Sequence, residues 1–195
     1  MAHNISSIHT KRALSASLKK LMATKELNRI SIREIAEDCG LNRQTFYYHF
    51  EDIFDLLRWT YTNELLPLLK CDPEDPDWEG RLLVLFRWLD ENRTFCLASL
   101  DAIGREHLAS TVQKELRHHF RRKVILAGTE SALGRPTEEY ADFLAEFYCQ
   151  AISGLLESWL RGNLQQSPQE LVHHIHLLLD TQTRGLQALQ KEAGR

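Results

Sequence analysis

Residues 42 to 50, NRQTFYYHF, concentrate side chains with the hydrogen-bonding geometry that the edges of base pairs present. Arg43 has the planar fork that pairs with guanine O6 and N7, Gln44 suits adenine N6 and N7, and the Thr45 methyl suits the methyl of thymine. Tyr47, Tyr48 and His49 carry donors of the kind that hold phosphates and fix a register without reading sequence. Leu41, Phe46 and Phe50 are left as anchors. So polar a face on barely two helical turns is a face presented to a partner.

The elements that must position these side chains are legible on either side. Residues 30 to 50, ISIREIAEDCGLNRQTFYYHF, read as two short helices joined by a turn at Cys39-Gly40-Leu41, the arrangement of a helix-turn-helix. Ser31 caps the first helix, and Glu34, three residues on, reaches back to the Ser31 amide as a capping box. Ile32, Ile35 and Ala36 form its apolar stripe. Gly40 stands where the helix must end, because glycine takes a left-handed conformation at no steric cost. Asn42 caps the second helix. Upstream, Leu14, Leu18, Leu21 and Met22 fall at i, i+4, i+7 and i+8 on a bracing helix, with Lys11 and Arg12 at its start and Lys19 and Lys20 on its outer side. Downstream, residues 51 to 70 read as a longer fourth helix with Ile53, Phe54, Leu57, Tyr61, Leu65, Leu68 and Leu69 on its apolar face, bent or ended by Pro67.

Charge points to a polyanion as the partner. The first 50 residues hold eight Lys or Arg against four acids, a net of +4, so the remainder of this −3 chain carries −7. A basic reading head on an acidic body produces that asymmetry.

Beyond residue 70 the pattern stays helical. The segment 71 to 80, CDPEDPDWEG, collects two prolines, a glycine and five acids and marks the main punctuation. Helices are expected over about 78–92, 94–103, 107–127, 137–162 and 168–190, and no strand pattern competes. The fold class is therefore all-α. A three-helix domain over 1–50 is joined by the fourth helix, 51–70, to a second helical domain over 71–195. Tyr140, Phe143, Leu144, Phe147, Tyr148, Ala151, Ile152, Leu155, Leu156 and Trp159 make one helix apolar around most of its circumference. Leu171, Ile175, Leu178, Leu179, Leu186 and Leu189 stripe the last, and Gly154 and Gly162 permit close helix approach. Burial in one monomer core and pairing with a second copy both account for such helices.

Of 195 residues, 43% are hydrophobic and 26% charged, ordinary for a globular chain, and no apolar run approaches the ~20 residues that span a bilayer. A cytoplasmic location is expected. Cys39, Cys71, Cys96 and Cys149 lie far apart without a CxxC pair, so reduced thiols packed as small apolar residues are expected, with a redox sensor as the alternative. No Gly-rich phosphate loop, nucleophile elbow or recognisable acid–base pair stands in the chain, so an enzyme is not expected, nor a cofactor. His118-His119 and the His173, His174, His176 cluster lack supporting ligands at metal-site spacing, and no metal is assigned.

TKRALSASLKKLM, ISIREIAEDCGLNRQTFYYHF and FDLLRW resemble the DNA-binding domain of TetR-type bacterial transcriptional regulators, over roughly the first 65 residues. FYYHF is similar to that family's most recognisable string. EDCGLNRQTFYYHFEDIFDLL further resembles a branch linked to dihydroxyacetone-kinase operons, whose members can work with a partner protein. The resemblance implies that Arg33 reaches a base edge and that Lys11, Arg12 and Ser31 touch phosphates. With Asn42, Arg43, Gln44, Thr45, Tyr47, Tyr48 and His49 they form the expected DNA-binding set. One departure stands out: such heads usually place a lysine shortly after this string, whereas Glu51, Asp52, Ile53 and Phe54 stand here. The resemblance also implies pairing of the last two long helices with their copies in a four-helix bundle, and a ligand cavity between the fourth and eighth helices. Trp59, Tyr61, Arg87, Trp88, Asp101, His107 and Tyr148 fall in helices that could line such a cavity, with Arg87 the best single candidate for holding an anion.

These readings converge on a homodimeric regulator, most often a repressor in such families, that binds a near-palindromic double-stranded operator and answers to a small molecule. The alternative is a co-regulator whose C-terminal domain binds a partner protein. An exposed apolar patch would favour the second, and an enclosed apolar cavity the first.

Overall fold

A computed structural model describes residues 2–69, 77–103 and 137–193, with isolated positions between 114 and 125. Every regular element among the described residues is helical. In chain order they are α1 (Ala2–Met22), a 3₁₀ turn (Leu27–Arg29), α2 (Ile32–Asp38), α3 (Arg43–His49), α4 (Ile53–Thr60), a π-helical turn (Tyr61–Leu65), α5 (Leu66–Leu69), α6 (Trp78–Glu91), α7 (Arg93–Ile103), α8 (Glu138–Leu160) and α9 (Pro168–Ala193). The expected helix over 107–127 lies for the most part outside the described residues, as do His107, Cys71 and most of the 71–80 punctuation. The chain divides into two compact units, Met1–Pro67 with Glu91–Ala109 and Leu68–Asp90 with Ser110–Arg195.

In the first unit α1 packs against α2, α3, α4 and α7. Leu14, Leu18 and Met22 bury its inner face, and Ile35 of α2, Phe46 of α3 and Leu56 and Leu57 of α4 are buried in the same unit. Phe46 is wholly buried at the centre, and truncating it to alanine would cost about 3–5 kcal/mol. α1 begins at Ala2, well before Lys11 and Arg12, which corrects their expected place at its start. No proline or glycine stands between Ala2 and Met22 to stop the helix from extending that far. Lys19 is likewise not on an outer side, since its Nζ lies 2.6 Å from Glu64 Oε2.

This core also contains polar groups that satisfy one another. Thr60 Oγ1 lies 2.9 Å from both Ser15 Oγ and the Leu56 carbonyl, and Ser15 Oγ donates to Glu64 Oε1 at 3.1 Å. Burying a hydroxyl is cheap only when it is bonded in this way. The buried face of the α4 region includes Leu56, Thr60 and Leu66, whereas Phe54, expected inside, is exposed. Pro67 explains the π turn: it has no N–H, and in a regular helix its ring would strike the carbonyl four residues back. The wider turn, with the Leu66 amide bonded to the Tyr61 carbonyl, makes room for it.

The second unit is built on α8, whose Ala141, Leu144, Ala145, Tyr148, Cys149, Ile152 and Trp159 are buried. Trp159 meets Phe86 of α6 edge to face at 5.1 Å and donates from Nε1 to the Gln166 carbonyl at 3.1 Å. Gly162, at φ +77°, ends α8, and Asn163 reaches back to the Ser158 carbonyl. Ser167 and Glu170 then form a reciprocal cap, with Pro168 at the first helical position of α9. Leu171, Val172 and Ile175 bury α9, while Leu178, expected on that stripe, is 56% exposed.

Candidate nucleic-acid interface

The reading helix is held by contacts that its own sequence supplies. Glu34 Oε2 accepts the Ser31 amide at 2.9 Å while the Glu34 amide donates to Ser31 Oγ, completing the expected capping box. Lys25 pairs with the same carboxylate, and its hydrogen bond, followed by those from Ser31, holds Glu34 down to about 2. At the other end of α2, Gly40 adopts φ +69°, its amide bonds the Glu37 carbonyl at 3.1 Å, and the Leu41 amide bonds the Ala36 carbonyl at 2.8 Å. This six-residue closure turns the chain directly into α3. Asn42 Oδ1 then accepts the Thr45 amide at 2.8 Å and the Thr45 hydroxyl at 3.0 Å. Phe46 and Phe50 fix α3 from beneath, with ring centroids 5.8 Å apart.

The face left outward is the expected one. Arg43 and Gln44 are exposed, Tyr47 and Tyr48 are 52% and 72% exposed, and Thr45 and His49 are half-buried. The Arg43 guanidinium lies 6.0 Å from the Tyr47 ring and within 3.5 Å of its hydroxyl. Large aromatics left in water on a two-turn helix indicate a surface with a use. His49 is held below the usual imidazole range by burial and then by the positive charge of Lys11, so it favours the neutral form.

The cations of the head fall into two groups. Lys19, Lys20, Lys25, Arg29 and Arg33 each pair with a carboxylate. Among the described residues Lys11, Arg12 and Arg43 pair with none. Arg33, expected at a base edge, donates from Nε to Glu37 Oε1 at 2.7 Å, one turn along α2. Ser31, expected at a phosphate, already has its hydroxyl in the cap.

Lys11 has aromatic company that local sequence patterns do not reveal. Its Nζ lies 5.3 Å from the Phe50 ring centroid and 6.0 Å from that of Trp59, and these two rings meet edge to face at 5.9 Å. A cleft of about 460 Å³ opens beside it, lined by Ser7, Ile8, Lys11, Arg12, Trp59, Asn63 and Glu64. Trp59, expected to line a ligand cavity, borders this cleft within the first unit. Tyr61 is buried in the same unit, stacked on Phe95 at 5.1 Å, with its hydroxyl near Ser99 and Cys96. Asp101 is exposed on α7; in the second unit Arg87 is exposed, Trp88 half-buried, and Tyr148 buried against Phe120 at 5.5 Å.

Burial raises the thiol pKa of each described cysteine, pushing Cys96 up to about 11. That is the opposite of what a redox sensor needs. His176 Nδ1 lies 2.9 Å from Glu79 Oε1, and among the described residues no three potential ligands gather for a metal. No described helix is long and apolar enough to cross a membrane.

A capped helix-turn-helix with an exposed, donor-rich second helix defines a DNA-binding transcriptional regulator. Residues 15–58 match the bacterial regulatory proteins of the tetR family, and residues 76–181 match a transcriptional regulator C-terminal region of that family. The chain belongs to the TetR family of bacterial transcriptional regulators. It is 34% identical over 89 residues to the HTH-type dhaKLM operon transcriptional activator DhaS of Lactococcus lactis subsp. lactis. That alignment covers 46% of this chain and 48% of DhaS, about half of the relative's length. The fold is similar to that of a dihydroxyacetone kinase operon activator DhaS, at 24% identity and a TM-score of 0.74 over 92% of this chain and 99% of the other. It is also similar to NalD of Pseudomonas aeruginosa, the secondary repressor of the MexAB-OprM multidrug efflux pump, at 17% identity and a TM-score of 0.60, over 90% and 96%.

Proposed function

We propose that this regulator binds a near-palindromic operator as a homodimer, reading bases with Arg43, Gln44 and Thr45 and holding phosphates with Lys11, Arg12, Tyr47, Tyr48 and His49. The carrying observation is the outward face of α3, where donors and aromatics stand in water on a helix fixed by caps at both ends of the turn. Residues 1–50 act as the reading head, 51–70 as the connector and 71–195 as the regulatory and dimerising part. Arg33 and Ser31 join the interface only if DNA displaces their present partners.

The exposed face of α8 suits a second copy. Tyr140, Phe143 and Phe147 are 43%, 63% and 56% exposed at i, i+3 and i+7, and the exposed Ala151 and Gly154 continue the line. Leu177 and Leu178 are exposed on α9. Such apolar stripes, ending in small residues that let backbones approach, suit a two-fold bundle.

In the first reading the signal is a small molecule that alters the DNA affinity of a repressor. The names of the DhaS relatives favour a second, an activator whose residues 71–195 bind a partner protein. Transcription from the DNA upstream of the gene, with and without the protein, separates the two signs. Solution mass, alone and with Phe143→Glu, tests the dimer: the account expects twice the chain mass and loss of it in the variant. A monomeric parent contradicts it.

A further inference from the structure

We infer that Trp59 and Phe50 form an aromatic cradle that fixes the Lys11 ammonium as the phosphate clamp at the junction of α3 and α4, with Trp59 as a positioning residue. The inference rests on the phosphate-holding role proposed for Lys11.

The start of α4 has no cation of its own. Residues 51–55 offer Glu51, Asp52 and Asp55 and no Lys or Arg. The helix start is also already capped: Asp52 Oδ1 accepts the Asp55 amide at 2.7 Å, and Asp55 Oδ2 accepts the Glu51 amide at 3.3 Å. Amides so occupied are withdrawn from any phosphate, and the carboxylates repel one. Lys11 brings a positive charge to this junction, since it lies over Phe50, the residue that ends α3, and its field reaches His49.

A lysine on an open helix face has a long, mobile stem, and ordering it on binding costs entropy. Two ring faces that attract the ammonium remove part of that cost beforehand while leaving its N–H groups directed at solvent. Lys11 differs in this from Lys19, Lys20 and Lys25, which a phosphate would have to win from carboxylates. Trp59 has another candidate role as core packing, but it is only half-buried, whereas neighbouring Leu56, Leu57 and Thr60 are wholly buried.

A double-mutant cycle on the full chain tests the inference, with Lys11→Ala, Trp59→Leu and their combination titrated against a duplex of the upstream DNA and a shuffled duplex at several salt concentrations. Lys11→Ala should make the salt slope shallower by about 0.9 for each phosphate that is no longer neutralised, on both duplexes alike. Trp59→Leu should weaken binding about two- to fivefold, the size of an exposed cation–π interaction, and should change nothing further once Lys11 is gone. Trp59→Phe keeps a ring face and should lose less; it carries the same cycle if the leucine variant does not fold. Equal loss from the Trp59 substitution in both Lys11 backgrounds, or an unchanged salt slope in Lys11→Ala, overturns the inference. Failure of the unaltered protein to bind either duplex at low salt instead overturns the DNA-binding role beneath it.

Discussion

Gly40→Ala tests whether the turn between α2 and α3 depends on backbone conformation. Gly40 sits at φ +69°, and a Cβ built there meets nothing within 4 Å, so a clash cannot explain any loss. What remains is the cost of a left-handed conformation in an L-residue, about 1–2 kcal/mol. Alanine also restricts the unfolded chain, which returns a few tenths to about 1 kcal/mol, so the net loss should be near 1 kcal/mol. For a chain of this size that is a fall in Tm of roughly 2–4 °C. Urea titration followed by helical circular dichroism measures it, with Gly40→Asn as the control because asparagine tolerates this region better and should recover much of the loss. The loss should also appear in DNA affinity, since the Leu41–Ala36 closure directs α3. Gly40→Ala with unchanged stability and unchanged DNA binding would refute the reasoning, and so would an asparagine variant worse than alanine.

Other expectations rest on separate parts of the molecule. Arg43→Ala should cost about 1–3 kcal/mol of discrimination between the upstream fragment and a shuffled one, read by competition titration, whereas Tyr48→Phe should weaken both alike. Glu34 has its folded pKa depressed from 4.5 to about 2, so its contribution is fully present above pH ~4.5 and is lost as pH falls through ~2. Glu34→Gln should therefore narrow the stability gap between pH 5 and pH 2, measured by urea midpoints. Gly154→Ala adds a methyl that meets nothing within 4 Å in one chain, so it should stabilise α8 by about 0.5–1 kcal/mol in the monomer. The same methyl should weaken the dimer, shown by a higher dissociation constant in sedimentation.

What was legible in the sequence was what depends on neighbours within a few residues. The Ser31–Glu34 box, the Asn42 cap and the left-handed Gly40 all follow from spacings of one turn or less, and the structure contains each. The buried places of Phe46 and Phe50 followed from the same local pattern. The Arg33–Glu37 pair is also local, joining residues one turn apart at i, i+4. Interactions made across the chain were not legible. Ser15 and Thr60 stand 45 positions apart, and only the folded chain brings their hydroxyls within 2.9 Å. The contacts of Trp59 with Lys11 and Phe50 were not legible because nothing in its own helix announces either residue. The π turn combines both kinds, since Pro67 predicted a disturbance but not its register.

The central claim is that the exposed face of α3 reads DNA. It is tested most directly by titrating the purified protein against the DNA upstream of its own gene and a shuffled control at two salt concentrations, with the mass measured in the same buffer. The account predicts preferential binding of the natural fragment by a dimer, weaker at the higher salt, and loss of the preference in Arg43→Ala. Equal affinity for both fragments, or a preference that survives Arg43→Ala unchanged, would contradict it.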